Sequence, residues 1–341
     1  MKKYILIFGI VISLFSCAQR SKKHVIIRNF PKSYNLKGEY IDSFDDVLFA
    51  MSIFTTEKYI VLRKNKSDYF YSVYLKKDNS FKLELCSKGR GPSEFLAPLY
   101  CGQSEDNAFW IFDRATSIFS KIDIEKSIIE NKTVISDKED LKLLIKSQLR
   151  DIFIIDSTRF LFSEDIADCP YYIYDIKDKK KVKVENDYEF KLPKPRDSHD
   201  FSQKMTVYNR TKQKFASAYY CFPVISFSSL SQGTFTSILY GNKDIKLNNN
   251  NLEEFRNHEY IDDIKGTNDY VYCLYNNSDR PSDYSAILVF DWDGTPISKY
   301  NLSGKYDQFT IDSSSHKIYA ISYTKESNIV TVFNISSLIH P

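Results

Sequence analysis

Six strand-like apolar runs recur along the chain at nearly even spacing, and few folds can absorb that rhythm. They are Tyr59-Ile60-Val61-Leu62, Phe109-Trp110-Ile111-Phe112, Phe160-Leu161-Phe162, Val224-Ile225-Ser226-Phe227, Tyr270-Val271-Tyr272-Cys273-Leu274-Tyr275 and Lys317-Ile318-Tyr319-Ala320-Ile321. Successive runs lie about 50, 51, 63, 47 and 47 residues apart, near the ~40–50 expected when each unit holds four strands. The 25 Tyr and 25 Phe favour strands, because rings pack well on a half-buried pleated face.

Each unit adds outer strands at a suitable distance. Tyr69 to Leu75 pairs across Lys76-Lys77-Asp78-Asn79 with Phe81 to Leu85, and Tyr171 to Tyr174 precedes a Lys-rich turn and Val182-Lys183-Val184. Ala286 to Phe290 runs into Asp291-Trp292-Asp293-Gly294, and Pro296 to Tyr300 returns; Asp-Gly between two β-rich runs signals a hairpin. Between the first two units lies Ser87-Lys88-Gly89-Arg90-Gly91-Pro92-Ser93-Glu94-Phe95-Leu96-Ala97-Pro98, followed by a strand that ends at Asp113. A glycine turn that leads from one unit's last strand to the next unit's first is a blade-to-blade junction. The fold expected is all-β: a six-bladed β-propeller of four-stranded blades.

The sixth unit shows only three strands, Phe309 to Asp312, Lys317 to Tyr323 and Ile329 to Phe333. A closed ring leaves no blade edge bare without risking edge-to-edge association. The N-terminal run His24 to Phe30 is the expected outer strand of the last blade. Two insertions break the rhythm. Asp137-Lys138-Glu139-Asp140 with Leu141, Leu144, Ile145 and Leu149 reads as a short capped helix. Residues 191–214 read as a long exposed loop.

The first segment is a targeting signal and stands outside the fold. Lys2 and Lys3 precede an apolar run, Tyr4 to Phe15, too short to span a bilayer. It ends in Leu14-Phe15-Ser16-Cys17, which resembles a bacterial lipobox and would make Cys17 the lipidated first residue of the mature protein. The expected organisation is a signal peptide at 1–16, a lipidated cysteine and tether at 17–23, and a propeller at 24–341. The lipid bilayer is then a partner through Cys17. The residue after Cys17 is not Asp and no acidic run follows, which points to an outer-membrane lipoprotein facing the periplasm.

The other five cysteines, Cys86, Cys101, Cys169, Cys221 and Cys273, cannot all pair and match no zinc spacing. Buried thiols acting as small hydrophobes are expected, with a Cys86–Cys101 disulfide as the alternative in an oxidising compartment. A net charge of +3, from 47 basic and 44 acidic residues, carries no nucleic-acid footprint. No metal or cofactor is expected.

Candidate chemistry is sparse. Gly89 and Gly91 could offer amides to an anion, but the Gly-Lys-Ser/Thr ending of a P-loop is missing. A junction turn built by Gly89, Gly91, Pro92, Glu94 and Phe95, with Glu94 accepting from turn amides, explains the residues better. Arg90 is not required by turn geometry and is a candidate channel-facing contact. Asp113 and Arg114 share that candidacy, although Asp113 could equally satisfy turn amides. Asp197-Ser198-His199-Asp200 holds triad letters that adjacent residues cannot arrange as a triad. Asp291-x-Asp293-Gly294 lacks the ligand spacing of a calcium loop.

Gly89-x-Gly91-Pro92-x-Glu94-Phe95 with Pro98, followed by the strand ending at Asp113, resembles an NHL-type repeat. With the lipobox and the blade count, the chain is more closely similar to the TolB-like six-bladed lipoprotein propellers of Bacteroidetes. That resemblance implies the fold and says little of activity, since propellers host many functions. The leading expectation is a non-catalytic module that binds or scaffolds an envelope protein, peptide or glycan. The alternative is a hydrolase, lactonase or lyase whose polar groups converge at one mouth of the axial channel.

Overall fold

A computed structural model describes residues 23–338, except 45–49, 66, 105, 142–148, 165–168, 185–202, 242–258, 277–283 and 324–327. Cys17 and the expected signal peptide therefore lie outside the described residues, as do Asp197 to Asp200.

The chain begins with three short strands, β1 (Lys23–Ile27), β2 (Ser33–Leu36) and β3 (Glu39–Tyr40). Blade one follows as β4 (Ala50–Thr55), β5 (Tyr59–Lys64), β6 (Tyr69–Leu75) and β7 (Phe81–Ser87). Blade two is β8 (Pro98–Ser104), β9 (Ala108–Asp113), β10 (Ile118–Asp123) and β11 (Ile135–Asp140), with α1 (Ile124–Glu130) between its last two strands. Blade three is β12 (Leu149–Ile154), β13 (Arg159–Glu164), β14 (Tyr171–Asp175) and β15 (Lys180–Lys183). Blade four is β16 (Lys204–Asn209), β17 (Lys214–Tyr219), β18 (Val224–Ser229) and β19 (Gly233–Tyr240). Blade five is β20 (Ile261–Gly266), β21 (Tyr270–Tyr275), β22 (Ala286–Asp291) and β23 (Pro296–Leu302). Blade six is β24 (Gln308–Asp312), β25 (Lys317–Tyr323) and β26 (Asn328–Asn334).

Every blade is an antiparallel meander whose first strand lies beside the first strands of its neighbours. The six-bladed reading of the sequence holds. The long third spacing arises because Val224 opens the third strand of its blade, whereas the other five runs mark second strands. The equivalent of those runs is β17, whose Ala216, Ser217 and Ala218 gave a weak strand signal.

The N-terminal strand lies elsewhere than expected. His24 to Ile27 do not close blade six; β1 runs parallel to β19 as a fifth strand of blade four. Next, β2 runs parallel to β23 of blade five. Only then does β3 pair antiparallel with β26 and supply the fourth strand of blade six. The segment is thus a strap across three consecutive blade edges. The physical reason lies in the edges: β19 is buried at every position and carries no charge, so it needs a cover. The uncovered outer strands β11 and β15 carry charge instead, and Lys180 to Lys183 are all exposed. Phe30 anchors the strap edge-on to Tyr240 and Phe290, with ring centroids 5.6 and 5.3 Å away. Deleting residues 23–30 should cost roughly 2 kcal/mol, because burial of Ile27 and Phe30 is partly offset by ordering entropy. It should also produce concentration-dependent association through the bared β19. A monodisperse variant with an unchanged melt would contradict this role.

Two further expectations are corrected. Residues 135–140 form the exposed outer strand β11, where alternating charges are tolerated, and the helix lies earlier, capped by Asp123 accepting from the Lys126 amide at 2.9 Å. Residues 204–209, read as loop, form the innermost strand of blade four.

The interior is divided into six apolar cores, one at each blade interface. All five described cysteines are buried and none forms a disulfide, so Cys86 and Cys101 act as small apolar groups.

Candidate functional site

The chain passes into each innermost strand at one end of the ring, here called the upper end. The glycine junction leads blade one's outer strand into blade two's inner strand there. Phe95 N–H donates to the Ser87 carbonyl at 2.9 Å, and Gly91 N–H donates to Glu94 Oε2 at 2.7 Å. A Cβ on Gly89 would lie 1.9 Å from Glu94 Oε2, so only glycine admits that carboxylate. Asp113 is 1% exposed and accepts from the amides of Leu96 (2.7 Å), Ala97 (3.2 Å) and Ala115 (2.9 Å). Its carboxylate is committed to stitching the turn after β9 onto the junction. Arg90 and Arg114 are exposed on this same stretch.

The channel mouth itself is shaped by a feature that periodicity did not reveal. In blades one, three and five the inner strand carries a bulge at the same step. The register skips Met51 between Ala50 and Ser52, Arg150 between Leu149 and Asp151, and Asp262 between Ile261 and Asp263. In each case the residue before the bulge is buried in a blade interface. A bulge leaves its extra residue out of the ladder and re-aims it, so three alternate blades turn a side chain away from their flanking cores at the upper end. Met51 is 43% exposed, and Arg150 and Asp262 are partly exposed.

The charges divide across the mouth. On the side of blades three and four, Arg150 Nε donates to the Lys204 carbonyl at 2.8 Å. Lys204 is buried, its ammonium 4.4 Å from the Tyr171 ring centroid. Burial raises the Asp151 carboxyl, opposed by Arg150, Lys204 and the hydroxyls of Ser163 and Thr206. Ser163 Oγ donates to Asp151 Oδ2 at 3.0 Å, while the Tyr171 hydroxyl bonds Ser217 Oγ at 2.8 Å and also Thr206. This polar seam adjoins a small apolar core, built from Ile155, Leu161, Tyr171, Val184 and Phe215.

Across the ring, carboxylates gather. Burial pushes Asp262 up to about 6, with Glu259 and Asp307 raising it further while the Asn276 amide and Lys305 oppose them. Asp307 is likewise raised by burial, although the Tyr323 amide donates to its Oδ2 at 2.6 Å. Tyr323 then reaches over to blade one, its hydroxyl donating to the Met51 carbonyl at 2.8 Å. Asp263 faces the interface with blade six and is fully engaged, accepting from Lys265 Nζ (2.7 Å), Ile264 N–H (2.9 Å) and Phe309 N–H (3.1 Å). On blade one, Arg63 Nε is buried and has no hydrogen-bond partner among the described residues.

The bulged steps place Arg150, beside Lys204 and Asp151, on blades three and four, and Asp262, beside Asp307 and Lys305, on blades five and six, so both signs of charge meet at the starts of the inner strands. That arrangement can hold a polar ligand that carries both charges or many hydroxyls. Sequence reasoning named Arg90, Asp113 and Arg114 and missed Arg150, Asp262 and Asp307. The available signal was the paired polar residues Arg150-Asp151 and Asp262-Asp263 at the start of inner strands, where apolar alternation breaks. Among the described residues, no group of three His, Cys, Asp or Glu is arranged to hold a metal ion.

Comparison with known proteins agrees with the topology. A crystal structure of a member of the DUF4221 family from Bacteroides vulgatus superposes with a TM-score of 0.56 at 11% identity, covering 87% of this chain and 95% of that one. A candidate exported protein of Bacteroides fragilis superposes with a TM-score of 0.54 at 13% identity, covering 91% and 99%. At such identities the likeness carries the fold alone. No curated protein matches the chain. The family model for TolB-like 6-blade propellers matches residues 29–314, most of the chain, and the protein therefore belongs to that family.

Proposed function

We propose that this protein is an exported, envelope-anchored binding module that receives a polar peptide or glycan at the upper mouth of its ring. The observation that carries the reading is the repeated bulge. Three blades give up a ladder position at one step, and the residues so released include a cation and a carboxylate at the same end of the ring. Loops and mouths set on a rigid scaffold are the usual place for recognition. Export is supported by the lipobox before Cys17 and by likeness to a candidate exported protein. Cys17 would tie the module to the bilayer, and Arg90 and Arg114 would extend the cationic side of the surface.

The test is crosslinking and co-purification from native envelopes with wild type and the pair Arg150→Glu and Asp262→Lys. Arg150 and Asp262 each carry a hydrogen bond to the scaffold, so recovery is compared for variants whose circular dichroism matches the parent's. The ligand recovered with wild type should fall about tenfold or more with either variant, a scale set by charged pairs truncated in a partly desolvated site. Recovery with wild type should also weaken as pH falls through about 6, because Asp262 becomes protonated there. Equal recovery from all three proteins would sink the proposal.

A further inference from the structure

The geometry points to a second site: an oligosaccharide-binding cavity on blade five, walled on one side by the N-terminal strap and touching the bulged Asp262 through the buried Asn276, whose Nδ2 donates to the Asp262 carboxylate. A cavity of about 490 Å³ opens where β2 lies along β23. Its size falls within the range of small-ligand pockets. Among the described residues the lining combines apolar area from Leu36 and Leu302 with the amides of Asn35 and Asn301, the Ser303 hydroxyl and one charged residue, Lys299. Tyr284, 61% exposed, stands at the edge.

This composition suits a sugar more than an ion or an apolar ligand. A sugar hydroxyl both donates and accepts, and amides and hydroxyls answer both needs. The C–H face of a pyranose ring needs an exposed aromatic surface, and Tyr284 offers apolar area with a polar tip.

The polar groups are also held in place. Asn301 Nδ2 donates to Asn35 Oδ1 at 2.9 Å and to Ser33 Oγ at 3.2 Å. Those bonds leave Asn301 Oδ1 as an acceptor and Asn35 Nδ2 as a donor for the hydroxyls of a ligand. Ser303 Oγ accepts from the Gly38 amide at 3.1 Å and keeps its own proton to donate. The floor is fixed from below: Asn276 Nδ2 donates to the Tyr306 carbonyl at 3.0 Å, and Ser285 Oγ accepts from the Tyr306 amide at 2.8 Å. Asn276 and Ser285 are buried and bonded to each other. Preorganisation of this kind reduces the ordering cost of binding. The strap thereby does more than cover an edge, since Asn35 and Leu36 come from it.

The test is calorimetric titration of the intact protein with two sets of oligosaccharides. One set is neutral, made of linear gluco-, manno- and xylo-oligomers; the other is oligogalacturonate, whose carboxylates would use Lys299. Saturable binding to at least one set is expected. Tyr284→Ala should weaken it about tenfold and Asn35→Ala by a similar factor, whereas Tyr284→Phe should stay within about threefold. Both positions are exposed, so these variants should fold. Arg150→Glu at the channel mouth should leave sugar binding unchanged, which separates this site from the mouth. The assignment is overturned if neither set binds, if Tyr284→Ala and Asn35→Ala bind like the parent, or if Arg150→Glu abolishes binding.

Discussion

Replacing Trp292 by alanine should cost the propeller about 3–5 kcal/mol, the usual scale for emptying a buried indole site. Trp292 is 2% exposed in the turn between β22 and β23, and it belongs to the core between blades four and five. Its Nε1–H donates to the Thr267 carbonyl at 3.0 Å. The indole fits because Gly266 has no side chain: a Cβ there would lie 3.0 Å from Trp292 Cζ2 and 3.1 Å from Cη2. The two positions should therefore couple. Gly266→Ala should destabilise the wild type, yet cost little once Trp292 is alanine. Urea denaturation of the four proteins in the cycle checks this, and strict additivity would show that the contact carries no energy.

Asp113→Ala is expected to be the next most damaging change, at about 3–4 kcal/mol. The carboxylate is buried and serves four backbone amides, those of Leu96, Ala97, Ala115 and Thr116. Removing it strands those N–H groups, and bonds to a charged acceptor are worth more than neutral ones. Leu96 is partly accessible, so water can recover some of the loss. Asp113→Asn should fall between, because one oxygen is retained and an N–H₂ now opposes a donor. The measurement is the urea midpoint, with the slope unchanged. A shift below about 1 kcal/mol for the alanine variant would mean the junction is not held by this residue.

How far the chain could be read from sequence varied with the range of the forces involved. Tyr270 to Tyr275 and Ala286 to Asp291 were legible because alternation and an Asp-Gly turn act over a few residues. Glu94 was legible for the same reason: its partner is three residues away. The second strand of blade four was not. Ala216, Ser217 and Ala218 have little intrinsic strand preference, and they are extended because β16 and β18 flank them. The charged stretch at 135–140 looked like a helix start, whereas pairing with β10 made it a strand. The channel mouth was the least legible. A bulge follows from how an inner strand meets its neighbours, so the local signal, a polar pair that breaks the alternation at Arg150-Asp151 and Asp262-Asp263, does not by itself place either residue at the mouth.

By itself, then, the amino-acid sequence determined the strand content, the six-fold recurrence and the junction turn, because each rests on hydrogen bonding and side-chain alternation within one hairpin. The tertiary structure decided three other things: the path of the strap, the alternate-blade bulges and the cavity on blade five. Those depend on which edges remain bare after the ring closes and on how far adjacent inner strands must bend to meet. Both are properties of the whole ring, and no window of sequence contains them.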